Sequence, residues 1–84
     1  MKITKYCNNK ASLIATKDYL LIQSYDTIIS YCKQGESVWY TSEDFNSDIW
    51  TRTSMRHYTT ITGLSYKEVK MMDSKEFKEI INNI

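Results

Sequence analysis

Tyr19-Leu20-Leu21-Ile22-Gln23-Ser24-Tyr25-Asp26-Thr27-Ile28-Ile29-Ser30-Tyr31-Cys32-Lys33-Gln34-Gly35-Glu36-Ser37-Val38-Trp39-Tyr40-Thr41-Ser42 is the stretch whose reading decides the fold. Tyr19 to Ser24 is a nearly continuous apolar run of strand length, which predicts a strand buried on both faces. Tyr25-Asp26 follows as a tight corner or a bulge. Thr27 to Cys32 is rich in β-branched and aromatic residues. Alternation puts Ile28, Ser30 and Cys32 on one face and Ile29 and Tyr31 on the other. Lys33-Gln34-Gly35-Glu36 is the clearest hairpin loop, with Gly35 free to take φ > 0. Ser37 to Ser42 returns as a strand, with Val38 and Tyr40 opposite in facing to Trp39 and Thr41.

Working towards the N-terminus, Ser12 to Thr16 is a second short apolar run, Asn8-Asn9-Lys10 a turn, and Lys2 to Cys7 a loosely alternating strand. The front half therefore reads as an antiparallel meander of three to five strands. Working towards the C-terminus, Asp44 to Asp48 has loop chemistry. Met55, Tyr58 and Ile61 then fall at helical spacing, and Gly63 suits the residue that closes a helix. The β-branched run Thr59-Thr60-Ile61-Thr62 argues the other way and leaves a strand over Tyr58–Thr62 as the alternative. Ser65 to Met72 alternates and reads as a strand, although Ser65-x-x-Glu68 also matches a capping box. Asp73 or Ser74 caps a last helix whose Phe77, Ile80, Ile81 and Ile84 make one apolar stripe. The expectation is a single α+β domain over residues 1–84, a small antiparallel sheet packed by one or two short helices near 52–62 and 74–83.

At 84 residues one domain is natural, and its core is thin. Eleven aromatic residues compensate, seven of them tyrosines that pack and still reach water. A formal net charge of +1 argues against a protein that coats nucleic acid by bulk attraction. The charge is uneven, however. Residues 1–17 carry Lys2, Lys5, Lys10 and Lys17 without an acid, and residues 36–48 carry Glu36, Glu43, Asp44 and Asp48 without a base. Cys7 and Cys32 do not form a disulfide framework. Met1 to Lys5 has no apolar signal core, and no run approaches the roughly 18 apolar residues of a membrane span. A reducing cytoplasm with two free thiols and no membrane contact is the expected setting.

Reactive side chains gather in Trp50-Thr51-Arg52-Thr53-Ser54-Met55-Arg56-His57, which holds both arginines and the single histidine. Thr51, Arg52, Thr53, Arg56 and His57 at a helix start suit an anion such as phosphate or carboxylate. Their plain structural use is a threonine cap, an arginine reaching Asp48 and a packed histidine. A metal site is not expected, because one histidine and two cysteines 25 positions apart lack ligand spacing. No catalytic residue and no cofactor is expected: neither cysteine has a local nucleophile signature. Glu36, Tyr40, Glu43, Asp44, Phe45, Asp48 and Trp50 combine acids with aromatics, which suits a protein-binding surface better than base stacking.

Ser24-Tyr25-Asp26-Thr27, followed by a hairpin and then Thr51-Arg52-Thr53-Ser54-Met55-Arg56-His57, resembles a loose group of small phage and mobile-element proteins. These carry an S-Y-D/N-T element and a T-x-T-S-x-R-H-like segment opening a helix. The resemblance covers about a third of the chain. It implies an accessory phage function, with inhibitors of host defence, anti-CRISPR proteins among them, as the contextual pattern. On that basis the first functional expectation is a non-enzymatic inhibitor in the host cytoplasm. Its acidic and aromatic surface would occupy a basic channel on a nucleic-acid-binding defence effector. The second is a nucleic-acid-binding regulator using Lys2, Lys5, Lys10, Arg52 and Arg56. The third is a small nuclease centred on His57. An exposed edge strand in so small a sheet invites self-pairing into a homodimer.

Overall fold

A computed structural model describes residues 1–43 and 52–84 of the chain. Five strands follow one another: β1 (Lys2–Tyr6), β2 (Ala11–Ala15), β3 (Tyr19–Ser24), β4 (Thr27–Lys33) and β5 (Trp39–Ser42). Each pairs antiparallel with the next. Helix α1 (Arg52–Thr62) then leads through a 3-10 turn (Tyr66–Glu68) into β6 (Lys70–Met72), and α2 (Ser74–Asn82) ends the described fold. The sheet order is β1-β2-β3-β4-β5-β6. β6 runs parallel to β5, and α1 lies in the crossover that such a pairing requires. The fold is the expected α+β domain, a six-stranded, mostly antiparallel sheet with two short helices.

Each face of the sheet carries one helix. Tyr31 and Cys32 are consecutive in β4 and so face opposite ways. Tyr31 stacks on Tyr40 (ring centroids 5.4 Å apart) and meets Phe77 of α2 at 5.7 Å. Cys32 pairs in register with Trp39, whose ring stands edge-on to Tyr58 of α1 at 6.2 Å. Tyr58 and Phe77 are both buried, so each helix drives one aromatic plug into its own side of the sheet. This answers the problem of a thin core: central strands buried from two sides with few residues. Leu21 and Ile22 of β3 do face opposite layers, and both are buried.

Strict alternation in β4 fails at one place. Ile22 pairs with Ser30 and Gln23 with Ile28, leaving Ile29 as an extra, bulged residue. Ile28 and Ser30 therefore face opposite sides, contrary to the sequence pattern. The bulge sits in β4 itself, while Tyr25-Asp26 is the tight corner. Ile29 is wholly buried, and its carbonyl accepts a 2.7 Å hydrogen bond from Thr41 Oγ1. Ser30 Oγ likewise donates to the Tyr40 carbonyl at 2.8 Å. Buried hydroxyls on β4 and β5 thus satisfy backbone that the irregular ladder would leave unpaired.

α1 forms despite its β-branched end. Gly63 takes φ +73° and donates its N–H to the Thr59 carbonyl at 2.8 Å, closing the helix as expected. Thr62 Oγ1 donates to the Tyr58 carbonyl and accepts the Leu64 N–H, so a weak helix former doubles as a terminator. The Ser65–Met72 expectation needs correction. Ser65 Oγ accepts the Lys67 N–H and caps a 3-10 turn, and only Lys70–Met72 is strand. Asp73 caps α2 through Glu76 N–H at 3.2 Å. Phe77 is buried and Ile80 and Ile81 pack against the core, but Ile84 lies past the helix and is 39% exposed.

Candidate functional site

The register places two turns at the same end of the sheet. Ala11 opens β2 opposite both Tyr6 of β1 and Ser24 of β3. The β1–β2 turn and the β3–β4 turn are therefore neighbours, and the Tyr25 N–H donates to the Lys10 carbonyl at 2.8 Å. Both turns are strained. Among the described residues the non-glycine positive-φ residues are Cys7 (52°), Asn8 (56°), Asn9 (68°) and Tyr25 (53°), all at this one end. Asparagine tolerates this region, but a tyrosine there costs roughly 1–2 kcal/mol. Such strain concentrates where a fold holds side chains for use.

α1 crosses above the two turns. Its Thr53, Arg56 and His57 fall at i, i+3 and i+4 and point the same way. Together with Cys7, Asn8, Lys10 and Tyr25 they line a cavity of about 400 Å³. Among the described residues its lining holds two permanent cations and no carboxylate. Lys10 and Asn8 are exposed at its mouth, and His57 forms its buried wall.

His57 is fixed from behind. Its Nδ1 shares a 2.8 Å hydrogen bond with Ser24 Oγ, which lies 3.4 Å from Ser54 Oγ. All three residues are buried. The Tyr25 ring lies against the imidazole with centroids 5.6 Å apart. Burial pushes the histidine below its usual range, and the nearby Arg56 and Lys10 charges push it further. The ring is therefore neutral at pH 7. With Nδ1 held by Ser24, Nε2 is the nitrogen left for the cavity. An anion there selects the tautomer in which Ser24 donates to Nδ1 and Nε2–H faces the ligand. If the ring protonates, Nδ1–H donates to Ser24, whose hydroxyl can turn to Ser54.

A family model matches most of the chain. The chain belongs to DUF8033, a family of unknown function. The match spans residues 1–79, which include every strand, α1 and all of the cavity lining. No curated protein and no solved structure matches the chain.

The DUF8033 cavity gathers part of the expected anion site. Thr53, Arg56 and His57 reach it. Arg52 is exposed one helical turn before Arg56, and Thr51 lies outside the described residues. Of the lysines, Lys10 lines the cavity, but Lys2 and Lys5, three positions apart on β1, face opposite sides of the sheet. Lys5 Nζ donates to Ser12 Oγ at 3.2 Å. Of the acidic and aromatic surface, Asp44, Phe45, Asp48 and Trp50 lie outside the described residues. Glu36 and Glu43 are exposed at opposite ends of β5, and Tyr40 is half-buried against Tyr31.

Asn8, Cys7 and Tyr25 were missed as site residues. Their signal lay in the two turn dipeptides, Asn8-Asn9 and Tyr25-Asp26. In a meander, the first and third turns lie at one end of the sheet. Among the described residues no group of three His, Cys, Asp or Glu gathers in metal-ligating range, and no helix is long and apolar enough to cross a membrane.

Proposed function

We propose that this protein is a non-enzymatic nucleic-acid-binding regulator that grips phosphate in the cavity between the two strained turns and α1. The observation that carries the reading is the convergence of Lys10, Arg56 and the free edge of His57 on one space. Two elements distant in sequence, the β1–β2 turn and α1, supply these groups, so simple local clustering does not account for them. Arginine offers a planar fork of donors and lysine a compact charge, and the two together suit phosphate oxygens. Arg52 extends the positive stripe along α1 beyond the cavity.

A net charge of +1 makes the attraction local, at one cavity, and does not turn the whole surface into a basic coat. Ser24 supports a binding role over a catalytic one: its hydroxyl sits behind the imidazole, buried and bonded to Nδ1. It orients the ring and is not presented to a ligand. Free Cys7 and Cys32 suit the reducing cytoplasm of a host cell, where such a ligand is abundant.

This reading departs from the inhibitor expectation. Of the acidic and aromatic surface, Glu36, Tyr40 and Glu43 are described, and the Tyr40 ring is engaged with the core.

The test is fluorescence polarisation with a short labelled single-stranded oligonucleotide across a salt series. Affinity falls with salt at a log–log slope of about −0.7 per phosphate engaged. Lys10→Ala and Arg56→Ala each weaken binding and flatten that slope. Absence of any complex in dilute buffer, or an unchanged slope in the double variant, removes the reading.

A further inference from the structure

We propose that the cavity is an end site, taking a phosphate monoester at the terminus of a single strand and stacking the adjoining base on Tyr25. This rests on the nucleic-acid reading above and narrows it to one chemical group. Three observations point the same way.

The first is size. About 400 Å³ lies near the lower end of small-ligand pockets, which run from roughly 300 to 1,000 Å³. The space is a surface hollow among the Cys7-Asn8 turn, Tyr25 and α1, of a size for one phosphate group with its sugar.

The second is charge and donor count. A backbone diester carries one negative charge, whereas a terminal monoester carries about −1.5 to −2 at pH 7 and three acceptor oxygens. Lys10 and Arg56 supply two permanent positive charges, matching the monoester. Asn8, Thr53 and His57 in the same lining carry neutral donors that suit its remaining lone pairs.

The third is the rim. Tyr25 is 56% exposed although its backbone is strained and tied to Lys10. One part of its ring rests on His57, and the rest is open beside the cavity. An aromatic held rigidly next to a phosphate pocket loses little freedom when a base stacks on it.

The experiment compares matched single-stranded oligonucleotides that end in phosphate or hydroxyl, with the dye on the opposite terminus. Both the 5′ and the 3′ end are tested, with inorganic phosphate and adenosine monophosphate as competitors. The expected result is about tenfold or more tighter binding of a phosphorylated end, since hydrogen bonds to a charged group are worth about that factor. Arg56→Ala erases the preference. Tyr25→Asn, which suits a positive φ, weakens the oligonucleotide about fivefold or more and leaves inhibition by inorganic phosphate unchanged. Tyr25→Phe keeps the ring and retains wild-type affinity.

Equal affinity for phosphate and hydroxyl ends, still lost in Arg56→Ala, overturns the end site while leaving the nucleic-acid reading intact. Adenosine monophosphate competing as well as the phosphorylated oligonucleotide overturns the strand-end assignment in favour of a free nucleotide. No binding of any oligonucleotide removes both.

Discussion

Acidification from pH 6.5 to 5.5 destabilises the protein, and His57→Asn removes that dependence. The buried imidazole has a folded pKa below its unfolded value near 6.5, because burial and the Arg56 and Lys10 charges oppose its protonation. The unfolded chain therefore binds more protons than the folded one in this window, and stability rises with pH and is lost as pH falls. An unfolded histidine is about half protonated at pH 6.5 and about nine-tenths at pH 5.5. A ring that stayed neutral when folded would cost about 1 kcal/mol across that unit, which is the ceiling. Water reaching Nε2 through the cavity keeps the loss below that ceiling. For a domain of this size the ceiling corresponds to a fall in melting temperature of about 4–8 °C. His57 is the sole histidine, and ordinary carboxylates titrate below the window, so the signal has one dominant side-chain source. The assay is thermal denaturation followed by circular dichroism in phosphate-free, low-salt buffer. His57→Asn keeps a polar group at the Nδ1 position for Ser24 and cannot protonate, so its melting temperature stays level between the two pH values. Added phosphate should shrink the wild-type loss, since an anion in the cavity favours the imidazolium. A wild-type protein as level as the variant, or more stable at pH 5.5, would refute the burial and field argument.

Other substitutions test the frame that holds the cavity. Phe77→Ala removes the plug on one face and should cost about 3–5 kcal/mol, read as a lower urea midpoint and, in so small a domain, close to its whole stability. Thr41→Val leaves the bulged Ile29 carbonyl without its 2.7 Å donor and should cost about 1–3 kcal/mol despite the matched shape. Gly63→Ala meets no atom within 4 Å of the added carbon, so its cost of about 1 kcal/mol comes from φ alone, and a second substitution to Asn should recover part of it. Asn9→Gly relieves a positive φ at an exposed turn and should raise the melting temperature by a few degrees, about 0.5 kcal/mol.

The meander was legible because each strand from β1 to β5 is short, β-rich and bounded by turn chemistry. Gly35 and Gly63 marked a loop and a helix end for the same reason, both needing φ > 0. Three features escaped. The Ile29 bulge depends on Thr41 reaching across from the next strand, a contact that no local pattern encodes. The 3-10 turn at Tyr66–Glu68 arises because Ser65 closes a local hydrogen bond that competes with strand pairing. The buried stripe of α1 is Ser54, His57 and Tyr58, so its first half is polar and an apolar periodicity search reads only Met55, Tyr58 and Ile61. The cavity was half legible. Thr53, Arg56 and His57 are neighbours in sequence, whereas Lys10 and Tyr25 join them only through the common end of β2.

The parallel placement of β6 has a consequence for the order of events during synthesis. The first five strands pair with near neighbours in sequence, and such contacts form on short timescales. β6 enters beside β5 only after the chain has travelled through α1. A ribosome that has released the front half thus presents a ribbon with both strained bends in place and no roof over them. The residues of α1 that line the cavity, and the plugs Tyr58 and Phe77 that bury the two faces, all arrive after the ribbon, so a product truncated before α1 lacks both the roof and the core.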